Sequence, residues 1–332
     1  MFVLDANNPE ALAECLKELN WLAADENIVT LTIPGAGNMN CVLRVDTGKR
    51  RFIIKQSRAY VEKYPQVAAP EERVVTEAAF YDKVREIPFL QGYMPRKIGV
   101  DVSNKLLAIE DLGPANDCTV LYNEGEQLSE ETFTKLLEYL SGLHQQFMKN
   151  KVDDELENEE MRKLNHEHIF KYPFMVENGF DLDTIQEGLQ SLALPFKNNS
   201  LLRQKVEVLG GLYLSKGKYL LHGDFYPGSW LQTEKGIKVI DPEFCFYGSR
   251  EFDLAVFIAH LYLSGQKEDL IALVADKYEG FEQLNRSILN GFVGTEIMRR
   301  LIGLAQLPLE MNLERKKTLL DFASKLILNE KI

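Results

Sequence analysis

The chain has 332 residues, 45% of them hydrophobic and 27% charged, enough apolar material for a large core and about two domains. Its formal net charge of -12 argues against nucleic acid as a partner, because phosphate backbones recruit clustered Lys and Arg. No apolar run approaches the roughly 20 residues of a membrane span, and Cys15, Cys41, Cys118 and Cys245 show no paired spacing, so neither a membrane helix nor a zinc site is expected and the thiols are expected to be reduced.

The start, Met1-Phe2-Val3-Leu4-Asp5, shows no basic leader and no long apolar segment, so a cytoplasmic protein is expected. Asn8 and Pro9 read as N-cap and first residue of a helix reaching Leu22, with Leu12, Cys15, Leu16 and Leu19 on one face. Three short apolar segments follow, Val29 to Ile33, Cys41 to Val45 and Arg51 to Lys55. They are separated by Pro34-Gly35-Ala36-Gly37-Asn38 and Asp46-Thr47-Gly48-Lys49, which predicts an antiparallel meander.

Glu71 to Arg85 reads as a helix with the stripe Val74, Glu77, Ala78, Tyr81 and Val84. A carboxylate on an apolar stripe costs several kcal/mol unless a cation meets it, so Glu77 calls for a partner. Lys55, closing the run Phe52-Ile53-Ile54, is the natural one; a surface lysine at a strand end is the alternative.

Leu106 to Glu110 is a further strand, and Asp111-Leu112-Gly113-Pro114 breaks the pattern. This places a small sheet-rich lobe over residues 1–112 and a larger helical lobe over 113–332. In the second, Glu131 to Met148, Asp253 to Leu263, Arg286 to Leu304 and Arg315 to Leu328 carry helical periodicity. The acidic run from Asp153 to Glu160 reads as a solvated helix start or loop, with attraction of a cationic substrate as its other reading. His166 and His168 lack the four-residue spacing of a zinc helix and read as surface or packing residues, and His144 as a core histidine.

The densest chemistry lies at His222-Gly223-Asp224 and Asp241-Pro242-Glu243. Between them Ser229 to Gln232 and Ile237 to Ile240 read as two strands of a tight hairpin, which brings the two acidic segments to the same end. Converging carboxylates suit phosphoryl transfer, where a protein positions the acceptor and neutralises charge on phosphate oxygens. Asp224 is the candidate general base, and Asp241 and Glu243 with the Ser229 hydroxyl are candidate ligands of Mg2+, a cation that takes hard oxygen donors. An ordinary turn, with Asp224 capping amides and Asp241 ending a strand, is the alternative. Asp253 is expected to cap the helix that follows and to brace the loop at Asp224.

Glycine turn, strand lysine, helix glutamate, junction and acid pair follow the order of parts in a bilobal protein-kinase-like α+β fold, with a small antiparallel-sheet N-lobe and a larger helical C-lobe. At these residues the chain resembles the aminoglycoside phosphotransferase and choline kinase superfamily. It is most similar to the methylthioribose kinase family in Gly35-Ala36-Gly37-Asn38-Met39-Asn40, Ile54-Lys55-Gln56, Ile109-Glu110-Asp111-Leu112, Gly228-Ser229, Ile240 to Gly248 and Glu296 to Ala305. The resemblance implies ATP and Mg2+, with Gly35, Gly37, Asn38 and Lys55 at the nucleotide phosphates, Glu77 fixing Lys55, and the segment at Glu110 receiving adenine through its backbone. It implies Asp224 as catalytic residue, Asp241 as metal ligand, and Arg299 and Arg300 at the sugar. The two arginines are adjacent and point about 100 degrees apart, so surface pairing with Glu296 is their alternative.

The expected reaction is transfer of the ATP γ-phosphate to a hydroxyl of a small molecule such as 5-methylthioribose, giving the 1-phosphate of that sugar. An aminoglycoside or amino-alcohol (choline-type) acceptor is the runner-up, and a nucleotide-binding module with weak catalysis is the reading from another class. Asp253 follows Asp241 too soon to leave an activation segment, which disfavours a polypeptide acceptor. The oligomeric state is left open, a homodimer included.

Overall fold

The computed structural model describes residues 2–35, 37, 39–153, 155–278 and 283–329. They form two compact units, one gathering Met1–Asn116 with Gln232–Cys245, the other Asp117–Leu231 with Phe246–Ile332.

In the first unit the helix Pro9–Glu18 starts where Asn8 caps it, its Oδ1 accepting the Ala11 amide at 3.2 Å. It stops short of the expected Leu22. Asn20 takes a left-handed conformation at φ +58°, and the amides of Trp21 and Leu22 both turn back to the Leu16 carbonyl. Asn tolerates that geometry and so closes the helix end.

The meander is present as Thr30–Thr32, Cys41–Asp46 and Arg51–Gln56, and the sheet continues through Leu106–Glu110 to a fifth strand, Lys97–Asp101, all neighbours antiparallel. Side chains alternate across a strand. Phe52 and Ile54 therefore enter a core with Leu12, Leu16, Trp21, Leu43, Val45 and Leu106, whereas Lys55, opposite Val42 and Leu107, takes the other face. The helix Arg73–Val84 packs on this sheet and buries Val74, Glu77, Ala78, Tyr81 and Val84. Residues 232–245 join the same unit; the Val239 amide donates to the Tyr93 carbonyl at 2.8 Å.

The second unit is helical, with Glu130–Gln146, Arg250–Leu263, Arg286–Ile302 and Leu313–Leu328 at its centre. Arg250–Leu263 is buried at every position except Tyr262, as befits a helix apolar on nearly all sides. The short antiparallel pair Tyr219–Leu221 and Phe246–Gly248 frames the chain that leads into His222.

Gly294 lets Arg286–Ile302 approach Leu313–Leu328, since a Cβ there would lie 2.4 Å from the Ala323 carbonyl oxygen. Gly294→Val is expected to cost about 1–3 kcal/mol through overpacking. Urea unfolding should then show a lower midpoint at unchanged slope; an unchanged midpoint would contradict the packing described.

Candidate active site

In the first unit the Lys55 ammonium donates to Glu77 Oε1 at 2.7 Å and to an Asp241 carboxylate oxygen. The lysine side chain is only 6% exposed. Burial alone would drive its proton off, but Asp241 and Glu77 outweigh burial and hold its pKa above the ordinary value. Tyr81 adds its hydroxyl to Glu77 Oε1 at 3.2 Å, and burial pushes the Glu77 carboxyl upward against the pull of Lys55. Removing one partner of such a buried pair costs about 3–5 kcal/mol, which makes the sites of Lys55 and Glu77 interdependent.

Asp241 sits in the left-handed region at φ +61° and its side chain is 43% exposed. A non-glycine residue held there carries about 1–3 kcal/mol of strain and persists only where its surroundings over-determine it; the bond to Lys55 is one such constraint. Glu243 is buried. Asn40 donates to it at 3.0 Å and the Arg73 guanidinium lies 3.4 Å away, while burial pushes its pKa up to about 8 against the opposing charge of Arg73.

Arg73 was not singled out by sequence reasoning, although an arginine running straight into Val74-Val75 was the available signal. Its buried guanidinium donates to Asn40 Oδ1 and to the carbonyls of Met39, Arg58 and Pro70, and so ties the strand start after the glycine turn to the helix. Gly35 and Gly37 line a cavity of about 520 Å³ with Asn40 and Val42. Asn38 lies outside the described residues. Glu110 donates its amide to the Arg96 carbonyl and pairs its carboxylate with the Arg96 side chain at 3.1 Å; with Asp111 and Leu112 it borders a cavity of about 300 Å³.

In the second unit the turn at Asp224 is fixed by Asp253, whose two oxygens accept the amides of His222 at 2.6 Å and Gly223 at 2.9 Å. Gly223 is left-handed at φ +86°, which a side chain would strain. Asp253 was expected both to cap the helix that follows and to brace this loop; it braces the loop but does not cap the helix. The N-cap is Ser249, and Asp253 faces inward to the loop and to His144 Nε2 at 3.2 Å. The Ser229 hydroxyl donates to the Asp224 carbonyl at 2.9 Å.

The Asp224 carboxylate meets Arg300 at 3.2 Å, and Arg299 approaches to 3.9 Å. Adjacent helix positions were expected not to face one site together. Both do, because the long side chains converge on Glu296 one turn away, Arg299 at 2.9 Å and Arg300 at 2.6 Å. These arginines are buried rather than surface residues. Although burial opposes it, the two guanidiniums hold the Glu296 carboxyl well below the usual carboxylate range.

A magnesium site needs hard oxygens within reach of solvent and substrate. Asp241 meets that description. Glu243 is buried against Asn40 and Arg73 and offers a hard oxygen only as the deprotonated carboxylate. Among the described residues no group of three or more His, Cys, Asp or Glu side chains is placed to hold a metal ion.

A sequence profile of the phosphotransferase enzyme family matches residues 30–286. The methylthioribose kinase of Bacillus velezensis is 27% identical over 371 aligned residues, covering 97% of this chain and 92% of that protein. The methylthioribose kinase of Exiguobacterium sibiricum is 28% identical over 255 residues, covering 71% of this chain and 61% of the relative. Among solved structures, the choline kinase of Streptococcus pneumoniae superposes with a TM-score of 0.53 at 14% identity, over 96% of this chain and 98% of that one. That likeness concerns the fold, which is the kinase-like α+β fold.

Glu243 provides a pH test. Its folded pKa of about 8 lies above the ordinary glutamate value of 4.5, so the folded state holds an extra proton between those values. Stability present below the lower value is lost as pH rises through the upper one. In metal-free buffer, melting temperatures taken between about pH 5 and about pH 8 should therefore fall relative to those of Glu243→Gln. A difference independent of pH would contradict the buried, protonated state.

Proposed function

The chain belongs to the phosphotransferase enzyme family, and from that premise we propose that it is an ATP-dependent kinase acting on a hydroxyl of a small neutral sugar, with 5-methylthioribose the first candidate. The observation that carries the choice of acceptor is the charge balance around Asp224: Arg299 and Arg300 against Asp224 and Glu296. Two cations offset two carboxylates, which leaves no acidic surplus for an aminoglycoside or choline-type cation. The relatives named methylthioribose kinase support the same acceptor.

In this reading Lys55, held charged by Asp241 and Glu77, contacts the nucleotide phosphates, and Gly35 and Gly37 leave room for backbone amides to approach them. The segment Glu110 to Leu112 receives the base. Asp241 would hold Mg2+, with Glu243 as a second carboxylate once it releases its proton, and Ser229 braces the Asp224 loop through its bond to the Asp224 carbonyl. Bound Mg2+ supplies neutralisation of charge on the phosphate oxygens. Asp224 orients the acceptor hydroxyl and takes its proton, a contribution of about 100- to 10,000-fold. Arg299 and Arg300 donate to sugar oxygens. The first unit thus handles the nucleotide and the second the acceptor.

No helix of the described residues is long and apolar enough to cross a membrane, and a cytoplasmic location accords with a metabolic kinase.

Coupled ATP consumption measured on methylthioribose, other pentoses, choline and aminoglycosides tests the proposal. Turnover is expected on methylthioribose, and Asp224→Ala should lower kcat at least about 100-fold while ATP binding persists. Turnover confined to choline or an aminoglycoside would remove the sugar, and an Asp224→Ala enzyme of normal rate would remove the base.

A further inference from the structure

Behind the arginine pair lies a chain of buried groups that the reaction does not touch directly. Glu296 Oε1 accepts from Arg299 at 3.1 Å, from Arg300 Nε at 2.6 Å, and stands 3.2 Å from His260 Nε2. His260 is wholly buried, and its Nδ1 lies 2.6 Å from the Tyr122 hydroxyl. Burial pushes the imidazole pKa down to about 4, so the ring is neutral and carries one N–H. With a carboxylate at Nε2, that proton must sit on Nε2, and Tyr122 must donate to Nδ1, because the other tautomer would set a ring lone pair against the Glu296 oxygen. The bond network therefore fixes one tautomer. Tyr226 closes the arrangement, its ring 5.3 Å from the His260 ring and 4.9 Å from the Arg300 guanidinium.

The helix Arg250–Leu263 carries His260 two turns beyond Asp253, on the same face. One face of one helix thus fixes the Asp224 loop through Asp253 and reaches the arginines through His260 and Glu296. We propose that His260, set by Tyr122 and acting through Glu296, is a positioning residue that holds Arg299 and Arg300 in register with Asp224. The proposal rests on the reading of Asp224 as catalytic base.

The test compares His260→Gln, whose amide reaches the Nε2 position and can still donate to Glu296, with His260→Asn, which cannot. With the acceptor that the wild type turns over, kcat should fall about 10- to 100-fold in His260→Asn and within about threefold in His260→Gln, with the KM for ATP unchanged in both. Equal kcat in the two variants would overturn the proposal, whereas an active Asp224→Ala control would overturn the underlying reading of the base instead. Nitrogen-15 NMR of the arginine side chains gives an arm independent of any acceptor. The Arg300 Nε–H resonance should be sharp in the wild type and in His260→Gln and broadened in His260→Asn, and identical spectra would contradict the proposal. Should His260→Asn fail to fold, Tyr122→Phe, which removes a single hydroxyl, is expected to broaden the same resonance, and an unaltered line would count against the proposal equally.

Discussion

An ammonium almost wholly removed from water persists only where carboxylates meet it, and much of the first unit is arranged so that two of them reach Lys55. Strand alternation turns Lys55 away from the hydrophobic core that takes Phe52 and Ile54. The helix on that face then supplies Glu77 from an otherwise apolar stripe. Asp241 supplies the second charge from a backbone conformation that would be unfavourable without such a bond. A desolvated lysine held charged beside a half-exposed carboxylate is the pairing that the proposed function assigns to polyphosphate and a hard cation.

The second unit solves a related problem with opposite bookkeeping. Asp224 faces two arginines, and those arginines are kept from forming an unbalanced positive pocket by Glu296, itself buried and held ionised by them. Replacing Glu296 alone would strand two buried guanidiniums, so the network behaves as a unit rather than as separable pairs. Within this group two guanidiniums face two carboxylates, so their formal charges cancel.

The strands and helices near the site were legible because their apolar residues repeat at periods of two and 3.6, and the Lys55–Glu77 pair was legible because a carboxylate on an apolar stripe requires a cation. Other features depend on contacts that local pattern does not encode. Arg73 stands at a helix start, where a charged residue reads as solvated, yet it is buried against oxygens of Met39, Asn40 and Arg58 from earlier segments of the chain. The return of residues 232–245 to the first unit is likewise set by tertiary pairing with Tyr93 and its neighbours. Helical geometry alone sets Arg299 and Arg300 about 100 degrees apart, but five-donor side chains of that length absorb the angular offset. His260 lay inside an apolar run, where a lone polar residue was the only trace of the network it joins.

The most direct test of the central claim is calorimetric titration of ATP into the wild type and into Lys55→Met, a replacement that keeps the buried stem and deletes the charge. The proposed contact between Lys55 and phosphate predicts ATP binding weakened by about tenfold or more, a cost of at least about 1.4 kcal/mol, and loss of phosphoryl transfer. A Lys55→Met protein that binds and turns over ATP as the wild type does would contradict the account.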